Sequence, residues 1–104
     1  MIGRNFFNQT RILDGGMGQE LLARGMRPNS TLWSANAILD ENYHQLVLDT
    51  HVDFIKAGAE IIVTTTFATR QKRLKENNLL DKFEYLNQKA GEIAQAAKQK
   101  FPKT

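Results

Sequence analysis

The sequence predicts an α/β fold with parallel strands. Three observations carry this. A short apolar run ends at Asp14 and turns at once through Gly15-Gly16 into a helical segment. A second run, Glu60-Ile61-Ile62-Val63-Thr64-Thr65-Thr66-Phe67, is β-branched almost throughout and shows no polar/apolar alternation, the pattern of a strand buried on both faces. Helical periodicity follows each run, so the order is strand, helices, strand, helices, a βαβα arrangement.

Taken in order, Thr10-Arg11-Ile12-Leu13-Asp14 is the first strand and Gly15-Gly16 a tight turn. Met17-Gly18-Gln19-Glu20-Leu21-Leu22-Ala23-Arg24-Gly25 then reads as a short helix closed by Gly25, since glycine takes the left-handed conformation that ends helices. Arg27 to Asp40 is turn-rich, with Pro28-Asn29-Ser30 and an isolated Trp33, and is expected as a loop. Asp40 can cap a helix over Glu41 to Ala57. Its apolar stripe is Tyr43, Val47, Thr50 or His51, and Phe54, widened by Leu46 and Ile55, and Gly58 ends it. After the second strand, Ala68 to Asn78 is polar and basic, a loop with a short helix. The last helix runs from Leu80 to about Lys100, with Phe83, Leu86, Ala90, Ile93, Ala97 and Phe101 three or four apart.

The 104 residues make one domain at most, residues 1–104. Two parallel strands leave an edge uncovered, so a third strand is expected directly after Thr104. A (β/α)8 barrel takes about 250 residues, and two of its eight units account for roughly a quarter of it. The fold expected is therefore the first two βα units of a (β/α)8 TIM barrel, an incomplete barrel and the front portion of something longer.

Composition excludes several classes. At 41% hydrophobic and 24% charged residues, with seven Gly and two Pro, the chain is neither a disordered tail nor a collagen-like repeat. No apolar run approaches the roughly 20 residues of a membrane span, and Met1 to Asn8 lacks the apolar segment of a secretory signal. With no cysteine there is neither a disulfide nor a thiolate ligand, which fits a reducing, cytoplasmic compartment. The net charge of +3 is uneven. Residues 1–69 hold five basic and seven acidic side chains (−2), and residues 70–104 nine and four (+5). Arg70-Gln71-Lys72-Arg73-Leu74-Lys75 has no interleaved aromatics and reads as a solvated face rather than a nucleic-acid site.

In parallel α/β folds ligands bind at the carboxyl ends of the strands. Asp14 stands at one such end, where its carboxylate can accept from an amine, and Gly15 and Gly16 let backbone N–H groups approach a ligand. The same residues also fit a purely structural role, with Asp14 capping the next helix and the glycines making the turn. Thr64, Thr65 and Thr66 stand at the other end, where hydroxyls can bind a carboxylate or simply serve strand packing. Trp33 can wall a small-molecule pocket or fill a cluster under its loop. The Gly15–Gly18 segment is neither a dinucleotide fingerprint nor a P-loop. His44 and His51, seven apart, are too far apart on a helix to share one zinc ion and read as helix-surface or core residues. Ser34 has no His and Asp arranged to activate it.

In combination, these residues resemble the homocysteine S-methyltransferase family. Ile12-Leu13-Asp14-Gly15-Gly16-Met17-Gly18-Gln19-Glu20-Leu21 is similar to its opening signature. Leu32-Trp33-Ser34-Ala35 continues the agreement. His51 to Ile62 resembles the family's H-x-x-F-x-x-A-G-A-x-x-I stretch, and Thr64-Thr65-Thr66-Phe67 falls on the threonine-rich end of its second barrel strand. The likeness covers nearly all of residues 11–100. Gln19 stands where the family usually has Thr, and Thr65 where it often has Asn. Both keep a polar side chain.

The resemblance implies a (β/α)8 barrel that moves a methyl group onto the sulfur of homocysteine, giving methionine. A zinc ion held by three cysteine thiolates keeps that sulfur as thiolate, the nucleophilic form. Asp14, Gly15 and Gly16 match positions that hold the amino-acid part of homocysteine, and Trp33, Thr64 and Thr66 match positions lining the pocket. The zinc ligands belong to later strands of the family's barrel, and no cysteine is present here. The expectation is an N-terminal piece contributing part of the homocysteine pocket, inactive in methyl transfer by itself. The donor stays open among S-methylmethionine, S-adenosylmethionine, betaine and methylated folate or cobalamin. The alternative is a non-catalytic α/β module that associates with copies of itself through its open sheet edge.

Overall fold

The computed structural model describes residues 4–27, 32, 35–66, 69 and 71–101, and of Arg73 the backbone alone. Among the described residues five α-helices form: α1 (Met17–Ala23), α2 (Asn36–Leu39), α3 (His44–Lys56), α4 (Gln71–Glu76) and α5 (Phe83–Gln99). Short 3-10 turns cover Arg4–Asn8, Glu41–Tyr43 and Leu80–Lys82. Helix α2 rises within a segment whose turn residues predict only loop.

The core is made by helices. α3 packs along α5, α1 against α3, and α2 against both. The stripe on α3 is Val47, Thr50, His51 and Ile55, and that on α5 is Leu86, Ala90, Ile93, Ala94 and Ala97, each at helical spacing. Leu21, Met26, Ala37, Ile38 and Leu74 join Val47, Leu86, Ala90 and Ile93 in one buried cluster. Thr50 is tolerated there because its hydroxyl donates to Leu46 O at 2.7 Å in its own helix.

Three helices stop in the same way. Met26 N–H reaches Leu21 O and Gly25 N–H reaches Leu22 O at 3.0 and 3.1 Å. Ala59 and Gly58 repeat the pair on Phe54 O and Ile55 O, and Leu79 and Asn78 on Leu74 O and Lys75 O. This is the Schellman arrangement, which needs a left-handed residue at its centre. Gly25 (φ 105°), Gly58 (φ 120°) and Asn78 (φ 58°) supply it. At the other end of α3, Asp40 caps as its position suggests. Its Oδ1 accepts from Asn42 N at 3.0 Å, capping the 3-10 turn that leads into the helix.

The sheet is where sequence and structure part. The two runs expected as strands do meet, side by side and parallel, but only through a single bridge between Leu13 and Ile61. Among the described residues there is no strand and no sheet, so the expected pair of βα units of a (β/α)8 barrel is not formed. The bonds stop within one step. Ile61 N donates to Ile12 O (3.2 Å) and Asp14 N to Ile61 O (3.1 Å). Where a continuing parallel ladder would use the Asp14 carbonyl, Val63 N donates instead to the Asp14 carboxylate Oδ2 at 3.0 Å. At the other end, the Glu60 carboxylate accepts from Ile12 N (3.4 Å) and pairs with Arg11 at 2.8 Å. The second run is not buried on both faces either. Val63 is 56% exposed, as are Ile12 (57%) and Leu13 (60%). β-Branched composition favours extension, but a two-strand pairing needs further strands or a covering layer to hold it. Among the described residues these side chains have neither.

Among the described residues no helix is long and apolar enough to cross a membrane.

Candidate functional site

The joint between the two extended runs brings several predicted residues together. Asp14 is half-buried there. It does not cap α1, whose N-cap is Gly16 without a side-chain bond. Its carboxylate is used on Val63 N–H instead, so it ties the first run to the second across 49 residues of chain. A carboxylate can accept from further donors beyond this one.

Gly15 and Gly16 follow, exposed and leading into α1. Gly15 has a packing reason to be glycine: a Cβ there would lie 2.9 Å from Cε1 of the Phe54 ring, closer than carbon atoms approach. Gly16 has open space around it apart from Gln19. The turn therefore rests on α3 through Phe54, and its outer side is bare. A salt bridge reinforces this seat. Arg24, at the end of α1, reaches Glu20 at 3.0 Å and Asp53 of α3 at 2.9 Å.

The three threonines divide by facing. Thr64 is exposed and Thr66 half-buried, with their hydroxyls 3.0 Å apart. Thr65 is the one that turns inward, 4% exposed, with no partner for its Oγ1. Beyond them, Thr69 donates to Asn87 Oδ1 (2.8 Å), and Asn87 Nδ2 donates back to Thr69 O (3.1 Å). This reciprocal pair fastens the end of the second run to α5. Trp33, Ser34 and Arg70 lie outside the described residues. Lys72 and Lys75 of the basic cluster share one surface cleft with Asp81 and Glu84, a surface of mixed sign.

The two histidines behave as helix residues, in different ways. His44 bonds Ile38 O through Nε2 at 2.6 Å, pinning α2 to the start of α3. His51 is fully buried with neither ring nitrogen partnered. Burial pushes its pKa below the ordinary 6.5, and the Asp14 charge opposes that push. Its helical stripe position predicts the burial. Its proximity to Asp14 is a tertiary fact, and the H-x-x-F spacing that sets His51 and Phe54 on one face of α3 is the signal that could have exposed it.

The zinc that the resemblance implies finds no fit in these residues. The chain has no cysteine, and among the described residues no three His, Asp or Glu side chains converge on one point. No step can be derived through a metal held by this chain.

Comparison with known proteins gives a consistent family. The profile described as homocysteine S-methyltransferase matches residues 11–104. Homocysteine S-methyltransferase 2 of Zea mays is 38% identical over 93 residues, which is 88% of this chain and 27% of that protein. Homocysteine S-methyltransferase 2 of Saccharomyces cerevisiae is 36% identical over 74 residues, 64% of this chain and 23% of the relative. The selenocysteine Se-methyltransferase of Brassica oleracea var. italica is 35% identical over 91 residues, 86% of this chain and 26% of that protein. The chain thus spans about a quarter of the length of the curated relatives it matches. No solved structure matches it. On the match across residues 11–104, the chain belongs to the homocysteine S-methyltransferase family.

Proposed function

We propose that this chain supplies the amino-acid-holding part of a homocysteine site, for transfer of a methyl group from a donor to the homocysteine sulfur. The observation that carries the reading is Asp14. Its half-buried carboxylate stands where the two extended runs meet, held by Val63 N–H and followed by an exposed Gly15-Gly16 turn. In this reading Asp14 accepts the substrate ammonium. The backbone N–H groups at Gly15 and Gly16 take its carboxylate, and the hydroxyls of Thr64 and Thr66 line the approach. The family resemblance adds Trp33 to the residues that would line it. The chemistry is displacement: the homocysteine thiolate forms the new S–C bond as the donor–methyl bond breaks, and the thiol proton leaves beforehand. These residues orient the amino acid and offer no group that would stabilise the thiolate, so the 104 residues alone do not turn over.

Calorimetric titration of the chain with reduced L-homocysteine tests this. The expected result is saturable binding that weakens about tenfold or more in Asp14→Asn, the effect of losing one charge-assisted bond. Equal binding by both proteins, or none by the wild type, removes the reading. Methionine formation by the zinc-supplemented chain would overturn its inactive half.

A second reading is favoured by one observation. Ile12, Leu13 and Val63 all expose more than half their surface at the same joint, as a self-associating module would. Sedimentation at increasing concentration checks it: a dimer that dissociates on Leu13→Lys supports the module, and a monomer throughout rejects it.

A further inference from the structure

Two buried side chains among the described residues carry polar atoms without a partner, His51 at both ring nitrogens and Thr65 at its hydroxyl. An unpaired buried polar atom is costly to keep, and the homocysteine reading as set out above uses neither group. His51 has the stronger case for a role, because three features place it with Asp14.

The first is the shared face of α3. His51 and Phe54 stand three residues apart on that helix, and the Phe54 ring lies directly against Gly15, the residue after Asp14. The side of α3 that carries the Asp14-Gly15 turn is therefore the side that carries His51. The second is charge: among the described residues, Asp14 is the one charged group that acts on the buried imidazole. The third is capacity. Asp14 spends Oδ2 on Val63 N–H and can accept further donors, while a neutral imidazole has one N–H to give.

We infer that His51 is a positioning residue for Asp14, donating its ring N–H to that carboxylate when the site is filled and so fixing the oxygen that meets the substrate ammonium. No such bond is made in the ligand-free chain. Site hydrogen bonds that are open without ligand commonly tighten in the complex. The inference rests on the homocysteine reading for the identity of the ligand, but the coupling of the two side chains can be read without any ligand.

The test follows the His51 ring nitrogens by NMR in the whole chain, wild type against Asp14→Asn. That variant keeps an oxygen for Val63 N–H and removes the charge. The expected result without ligand is a His51 titration that moves to lower pH, and with reduced L-homocysteine bound a single dominant ring tautomer that Asp14→Asn abolishes. A titration unchanged by Asp14→Asn without ligand, or a bound-state tautomer unchanged by it, overturns the inference; a nearby charge moves the titration of any buried imidazole, but only a bond to the carboxylate fixes the tautomer. With reduced L-homocysteine added, His51→Phe is expected to weaken binding about tenfold, and His51→Gln, which can still donate, to restore most of it. Equal losses in the two variants also overturn it. If the wild type does not bind homocysteine, the ligand reading fails, and the ligand-free titration still decides whether His51 and Asp14 act together.

Discussion

The paired helices α3 and α5 and the joint between residues 12–14 and 60–66 were both legible as regular structure, yet only the helices form it. α3 and α5 bury Val47, Thr50, His51, Leu86, Ala90 and Ile93 against each other and their neighbours. The joint holds one bridge and leaves Ile12, Leu13 and Val63 more than half exposed. The difference is one of where the bonding partners come from. A helix satisfies its backbone four residues away and needs its neighbours only for burial. An extended run must find both hydrogen bonds and burial from distant chain. At the joint, the carboxylates of Asp14 and Glu60 take backbone N–H groups that a longer ladder would have paired.

The contrast is broken most sharply by truncating one side chain on each side of it. Leu86→Ala, at a fully buried position, is expected to cost about 2–5 kcal/mol, whereas an exposed side chain such as Leu13 should change stability by about 0.5 kcal/mol or less when cut to Ala. Urea unfolding of both variants checks this. Comparable losses would mean that the joint is as tightly packed as the helices.

A smaller effect comes from pH. His51 titrates below its ordinary 6.5 in the folded chain because it is buried. The unfolded chain therefore binds this proton more readily. The neutral ring's contribution to stability is fully present above pH 6.5 and is lost as pH falls from there through the depressed folded value. One proton sets a limiting slope of about 1.4 kcal/mol per pH unit. Unfolding midpoints between neutral and mildly acidic pH should fall in the wild type and flatten in His51→Gln. Equal slopes in the two would remove His51 as the source.

A further change sharpens the helix side alone. Gly58 is left-handed with nothing within 4 Å of a built Cβ, so Gly58→Ala meets no clash and should cost only the backbone penalty, about 1–2 kcal/mol. A neutral substitution, read by thermal unfolding, would show that the Schellman closure of α3 relaxes without loss.

The candidate site was legible in part for the same reason as the fold. Asp14, Gly15 and Gly16 stand out because a carboxylate followed by two glycines after an apolar run is a local pattern, and the structure brings them to one place. The threonines were legible as a group. Their division, with Thr65 turned inward and Thr64 and Thr66 outward, depends on how the second run leaves its single bridge, and a stretch without alternation carries no signal of facing. His51 reads as one more buried position on a stripe, and the H-x-x-F spacing points toward residue 14 only once Phe54 is known to lie against Gly15.

By itself, the sequence determined helices α1, α3 and α5, the stripes of the last two and the endings at Gly25 and Gly58, because 3.6-residue periodicity, the Asp40 cap and those glycines act within a few positions of one another. It also carried the family, through motifs whose order and spacing survive in the linear chain. Only the tertiary structure decided that the two β-branched runs stop at one bridge, that Phe54 occupies the space a side chain at Gly15 would need, and that a buried imidazole lies within reach of the Asp14 charge. Those outcomes depend on contacts between segments more than 35 residues apart, where the free energy is set by which partners are present to pair and to bury, and no local preference encodes that.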